Sequence, residues 1–217
     1  MRAAAFFDLD LTLIDVNSGL LWAKHERRLG NISRTQLARA VFWHGMYRLA
    51  LIDMEVAFER AMSHYKGIES SHLEKRTRSW FEEQVQDRIR EKALAAAEGH
   101  RRGEQPLVIL TNSSCYQANI AAERWGFDDY LANNFPTDSA GRLVGTFERP
   151  LCYGPGKVAR AEQWAKEHDV DLDRSFFYSD SYSDLPMLER VGEPRVVTPD
   201  PRLRRLARKR GWQILSW

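Results

Sequence analysis

The sequence predicts an α/β fold: a mainly parallel sheet flanked by helices, with an all-helical segment inserted after the first strand and a small β-hairpin inserted later. Three observations lead there. Short apolar runs that end in polar residues recur along the chain, and helical spacing fills the intervals between them. Residues 18 to about 100 break that alternation, because nearly everything there has helical spacing and nothing has the pattern of a strand.

The apolar runs are "AAAFFDLD" (3–10), "PLVILTNSS" (106–114), "SFFYSDSYSD" (175–184) and "PRVVTPD" (194–200). Each reads as a buried strand whose carboxyl end opens into a polar loop, the edge at which open parallel sheets bind ligands. "GKVARAEQWAKEH" (156–168) is one of the helices between them. In the helical insert, Ser33 with Gln36 and Ser71 with Glu74 fit capping boxes, and Asp53 fits the cap of the helix through "MEVAFERAMSHY". Trp22, Phe42, Trp43, Tyr47, Phe58, Trp80 and Phe81 supply bulk. Such an insert forms a separate lobe of residues 16–98 above the first strand's loop, where a lid belongs. Residues 1–15 and 99–217 are left as the core. The hairpin is expected in "NNFPTDSAGRLVGTF" (133–147), around a turn at Asp138–Gly141.

The last helix, "PDPRLRRLARKRGWQ", starts with Asp200 as cap and Pro201 in its first turn. Its six Arg and Lys residues suit peripheral contact with an anionic membrane, but Leu203, Leu206 and Ala207 give it an apolar side for docking, which favours a solvated basic face. The whole chain has 32 Lys and Arg against 30 Asp and Glu, so no global field argues for nucleic acid. Two cysteines, Cys115 and Cys152, make neither a disulfide framework nor a zinc pattern. The opening "MRAAAFFDLD" is too short for a signal peptide, and no run approaches the ~18 apolar residues of a membrane span. A soluble, cytoplasmic protein is the expectation.

Asp8 and Asp10 stand side by side where a buried strand ends, and two carboxylates there repel unless a cation or a shared proton compensates them. Mg²⁺ suits oxygen ligands of this kind, with Asp180 and Asp184 of "YSDSYSDLPML" arriving from a neighbouring strand. "ILTNSS" offers the Thr111 hydroxyl and the Asn112 amide to a phosphate oxygen, and Lys157 adds a cation at a helix start after "YGPG". Hydroxyl, amide, ammonium and metal around one point make a cradle for a phosphoryl group. A cysteine phosphatase is excluded by spacing: a Cys-x5-Arg cradle needs arginine where the chain has Ala121 and Val158.

Taken in order, "DLDLT" (8–12), "ILTNS" (109–113), Lys157 and "SDSYSD" (179–184) resemble the four motifs of the haloacid dehalogenase (HAD) superfamily. A helical cap between the first two motifs, with "DLPML" (184–188) after the last, looks like that superfamily's phosphoserine phosphatase branch (subfamily IB). The resemblance implies a Rossmann-like sheet and a Mg²⁺-dependent hydrolase of a small phosphomonoester, working through an aspartyl-phosphate. Asp8 would be the nucleophile and Asp10 the acid and base. The metal would be held by Asp8, the Asp10 carbonyl and Asp180, with Asp184 close by; Thr111, Asn112 and Lys157 would bind the phosphoryl group, and Thr12 would orient the Asp10 loop. Dehalogenating members lack a carboxylate at the position of Asp10, so its presence favours phosphoryl chemistry.

The chain departs from the branch at three places. Asn17 stands where phosphoserine phosphatases have the glutamate that holds the substrate ammonium, which speaks against L-phosphoserine and leaves Asn17 as a substrate contact or a cap-hinge residue. Ser183 replaces an asparagine, and Leu11 stands where a glycine is frequent. Transfer to an acceptor other than water, or a phospho-aspartate signalling module, are the alternatives.

Overall fold

The computed structural model describes residues 1–48 and 54–217. The expected cap at Asp53 and the side chains of Trp43 and Tyr47 lie outside what is described.

Among the described residues six strands form one parallel sheet: β1 (Ala5–Phe7), β2 (Leu107–Ser114), β3 (Asp129–Asn133), β4 (Phe176–Ser179), β5 (Glu193–Val197) and β6 (Gln213–Leu215), in the order β3-β2-β1-β4-β5-β6. The four expected strands are present, and β3 and β6 extend the sheet at its two edges. β1 is central, with Phe6 opposite both Val108 and Phe177. Because side chains alternate along a strand, β1 feeds two cores. Phe7, Leu107 and Ile109 pack on one face, and Phe6, Val108, Leu110 and Phe177 on the other.

Helices α5 (Glu91–Arg102) and α6 (Cys115–Trp125) cover the first face, through Ala93, Ala97, Ile120 and Ala121. Helices α7 (Pro155–Glu167), α8 (Leu185–Arg190) and α9 (Pro201–Arg210) cover the second, through Ala161, Trp164, Met187, Leu188, Leu203 and Ala207. Asp200 Oδ1 accepts from Arg202 N and Leu203 N, so α9 starts as expected and docks by its apolar side. No helix among the described residues is long and apolar enough to cross a membrane.

Between β1 and β2 stand α1 (Ser18–Arg28), α2 (Arg34–Arg48), α3 (Met54–Ser63) and α4 (Ser70–Gln84). The Ser33–Gln36 capping box forms in both directions, at 2.6 and 3.2 Å. The box expected at Ser71–Glu74 does not form: α4 begins two residues earlier, with Glu69 at its cap position, and the Ser70 hydroxyl pairs with Tyr116 of the core at 2.7 Å. Phe42, expected to add bulk, is 61% exposed on α2. The expected boundary at 98/99 falls inside α5, whose Ala93 and Ala97 share an apolar cluster with Phe7 and Leu107 of the sheet. Residues 133–147 hold one antiparallel bridge, Thr137 to Leu143, in place of regular hairpin strands. They also reach the helical lobe, where Gly67 N and Leu143 O, and Leu143 N and Ile68 O, pair at 2.8 and 2.9 Å.

Candidate active site

Strand order reverses at β1, with β2 on one side and β4 on the other, and the residues just past these three strand ends face one crevice. Asp8 follows the buried run of β1, and its N–H donates to Tyr178 O of β4 at 2.9 Å. The chain then winds through one wide turn, in which Leu13 N and Ile14 N reach back to Asp8 O and Leu9 O. Leu11 takes φ 58° inside this turn, the left-handed region that explains why glycine is frequent at this position in the family the motifs resemble. The reversal carries Asp10 to the amino end of α1, where Ser18 N donates to its Oδ1 at 3.2 Å. Asp8 and Asp10 therefore face one cavity with different partners.

Lys157 comes from the first turn of α7. That turn is packed so closely that a Cβ on Gly156 would lie 1.9 Å from Leu151 O, so only glycine permits it. Its ammonium is buried and donates to Asp8 Oδ1 and Asp184 Oδ2, both at 2.8 Å. Ser179 donates to the same Asp184 oxygen at 2.7 Å. Asp184 is thus engaged by Lys157 and Ser179. Thr12, expected to orient the Asp10 loop, turns its hydroxyl towards Asp180 Oδ1 at 3.5 Å, which ties the first loop to the acidic loop.

At the end of β2, Thr111 is buried and its Oγ1 accepts from Ser113 N at 3.1 Å. Asn112 beside it is braced by Asn133, a fully buried residue at the end of β3. The Asn133 amide nitrogen donates to Asn112 O at 2.7 Å, while its oxygen accepts from Cys152 N at 2.7 Å. Sequence reasoning missed Asn133; a polar residue closing "DYLAN" was the only signal. It also missed Gln117, whose buried Nε2 has no hydrogen-bond partner among the described residues and which lines the cavity from the first turn of α6.

Electrostatics distinguishes the carboxyls. Burial raises Asp8, Lys157 pulls it down, and Asp184 raises it again, leaving it at about 7. Burial also raises Asp10, against the hydrogen bonds from Ser18, to about 6. Asp180 is pushed well above the usual carboxylate range by burial, then by Asp8 and Asp184. Burial opposes the Lys157 charge, but Asp184 and Asp8 more than offset it and hold the ammonium above its ordinary range. Burial lifts Cys115 to about 11 and Cys152 to about 12, so neither is a thiolate nucleophile at neutral pH.

One ammonium faces four carboxyls here, and all the donors are hard oxygens, which fits Mg²⁺. Among the described residues no three His, Cys, Asp or Glu side chains gather into a ready-made cage. Asn17 lines the same cavity and caps α1, with its Oδ1 accepting from Leu20 N at 2.9 Å.

A family model of haloacid dehalogenase-like hydrolases matches residues 5–189, from the start of β1 to α8. The chain belongs to this family. Among its relatives, a phosphoserine phosphatase of Mycobacterium tuberculosis is 30% identical, over 99% of this chain and 70% of that protein. A histidinol-phosphatase of Neisseria meningitidis is 24% identical, with the whole of each chain covered. Among solved structures, a protein of unknown function from Bordetella pertussis superposes with a TM-score of 0.89 at 26% identity, covering 99% of this chain and 98% of that one. A substrate-bound phosphoserine phosphatase shares the fold at 16% identity, with a TM-score of 0.72 and 99% and 93% coverage. In this haloacid dehalogenase-like hydrolase, α1 to α4 supply the far wall of the cavity that the strand ends open into.

Proposed function

We propose that this haloacid dehalogenase-like hydrolase is a Mg²⁺-dependent phosphomonoester hydrolase that works through an aspartyl-phosphate on Asp8. The observation that carries the reading is the pair of adjacent carboxyls with opposite partners, Asp8 against Lys157 and Asp10 against the amino end of α1. Lys157 favours the ionised form of Asp8, which a nucleophile requires. Asp10, raised to about 6, suits an acid that protonates the leaving oxygen and a base that then takes a proton from water. Asp8 attacks phosphorus as the ester oxygen departs with the Asp10 proton; water, deprotonated by Asp10, then cleaves the acyl phosphate and restores Asp8. The Thr111 hydroxyl, the Asn112 amide and Lys157 hold the phosphoryl oxygens. Mg²⁺, held by Asp8, Asp180 and the Asp10 carbonyl, would neutralise phosphoryl charge. Names of relatives, phosphoserine phosphatase and histidinol-phosphatase, support the reaction class.

Phosphate release from a panel of phosphomonoesters, with Mg²⁺ or EDTA, tests this for the native protein and Asp8→Asn. Turnover that needs Mg²⁺ and vanishes in the variant is expected. Mg²⁺-independent turnover, or an active Asp8→Asn, would overturn the mechanism.

A further inference from the structure

Beyond the carboxyls the crevice widens into a cavity of about 510 Å³, large enough for a drug-sized ligand. Trp22, Met54, Phe58 and Tyr65 of the helical lobe line it opposite Tyr116 and Phe135 of the core. Trp22 spends its one polar atom on Tyr65, donating Nε1 to the hydroxyl at 2.8 Å, so the two present ring faces and edges to the space. Phe58 stacks with Phe135 at 6.1 Å between centroids, closing the wall across the two lobes.

Charge in this cavity is allocated in a telling way. Its acidic lining residues, apart from the four at the strand ends, are Glu26 and Asp200 among the described residues. Glu26 is 2% exposed and ion-paired with Arg76, and the same oxygen, Oε1, also accepts from Asn31 Nδ2 at 3.2 Å. Asp200 caps α9 with one oxygen and accepts from Tyr182 N at 2.6 Å with the other. The remaining charged lining residues include Arg39, Arg60 and Arg202, exposed arginines that offer an ammonium no counter-charge. Asn17 contributes no charge. Two buried donors, Trp80 Nε1 and Gln117 Nε2, have no partner among the described residues, although buried donors are nearly always paired. Both residues line this cavity, which points to a ligand with an acceptor atom.

We infer that the alcohol part of the substrate is a bulky apolar group without an ammonium, seated between Trp22, Tyr65, Phe58 and Phe135. This deepens the phosphatase reading and rests on it for the position of the phosphoryl group. It sets the substrate apart from amino-acid phosphates, whose ammonium would lie unpaired against these walls.

The test is direct binding, so that it does not depend on turnover. Titration calorimetry of the native protein with Mg²⁺ uses the n-alkylphosphonates from methyl to hexyl, and 2-aminoethylphosphonate beside its near-isostere propylphosphonate. Kd should fall about fourfold per added methylene, the value for full burial of each group. The ammonium compound should bind at least about tenfold more weakly than propylphosphonate. Trp22→Ala and Phe58→Ala should each flatten the chain-length dependence. A Kd that does not change with chain length, or tighter binding of the ammonium compound, would overturn the inference, whether or not any ester is hydrolysed. Absence of ester turnover beside a steep chain-length dependence would leave this inference standing and count against the phosphatase reading alone.

Discussion

Replacement of Lys157 by methionine should destabilise the protein in a way that depends on pH. The Lys157 ammonium lies 2.8 Å from both Asp8 Oδ1 and Asp184 Oδ2, with side-chain exposures of 2%, 11% and 3%. Methionine nearly conserves volume, so the loss is electrostatic. Removing one member of a buried pair costs about 3–5 kcal/mol, because the remaining charge has no counterion. For a chain of this size each kcal/mol moves Tm by roughly 2–4 °C, so a fall of roughly 6–20 °C is expected. The sign of the pH effect follows from Asp8, whose carboxyl lies at about 7 in the folded protein against an ordinary 3.8. Between these values the folded state binds a proton that the unfolded chain has released, so native stability declines as pH rises through that window. Without the ammonium Asp8 moves higher still, and the decline extends above neutrality. The Tm gap between variant and native should therefore be widest near pH 8 and narrow towards pH 5, where Asp8 carries a proton. Adding Asp184→Asn should recover part of the loss. Thermal unfolding followed by circular dichroism, without divalent metal, measures all three. An equal gap at both ends of the range would refute the reasoning, as would a gap at pH 8 of less than the roughly 2 °C that 1 kcal/mol produces.

Asp10→Asn should lower steady-state phosphate release by about 10²–10⁴-fold and let the aspartyl-phosphate accumulate, which acid quenching after a single turnover detects. Mg²⁺ should raise Tm more at pH 8 than at pH 5, since protons compete for carboxyls whose titration is shifted up to about 7 and about 6; a thermal shift series with EDTA controls checks the order. Leu11→Gly should be close to neutral in stability, because relief of the left-handed backbone offsets the entropy glycine adds to the unfolded chain. Leu11→Val should cost about 1–2 kcal/mol, and urea unfolding of the two separates backbone strain from side-chain packing. Gly156→Ala should cost at least about 2 kcal/mol and abolish phosphate release, because the new methyl meets a backbone oxygen and moves the turn that aims Lys157.

β1, β2 and β4 were legible because each is a largely buried run with a polar residue marking its end, and those three ends are where the chemistry sits; β5 was legible by its Val196–Val197 pair ahead of a polar loop. β3 and β6 were not: "DYLAN" is half-buried until its last two residues, and "QIL" is an exposed edge, so neither has an apolar run to find. The Ser71–Glu74 box was legible as a pattern and still failed, because the neighbouring Ser70 hydroxyl meets Tyr116, 46 residues away. Asp8, Asp10, Thr111, Lys157 and Asp180 were legible as strand-end or helix-start residues. The brace that Asn133 supplies was not, since it joins the ends of two strands to Cys152 and exists only once the sheet has formed.

The two ends of the cavity differ in how the sequence specifies them, and this explains why the reaction class was readable before the substrate. At the chemical end Asp8 and Asp180 follow directly on β1 and β4, and Asp10 and Asp184 lie two and four residues further on, so short local patterns place them. The far end is assembled from α1, α3, α4 and the loop through Phe135, and its character depends on cancellation. Glu26 in isolation reads as an acid on a helix that could hold an ammonium. Paired with Arg76, fifty residues on, it becomes neutral wall. A single change there, Arg76→Met, frees that carboxylate inside an apolar cavity. The variant should bind 2-aminoethylphosphonate more tightly relative to propylphosphonate than the native protein does, by about tenfold for each 1.4 kcal/mol that the released carboxylate contributes. An unchanged ratio in a folded variant would mean that Glu26 does not face the ligand.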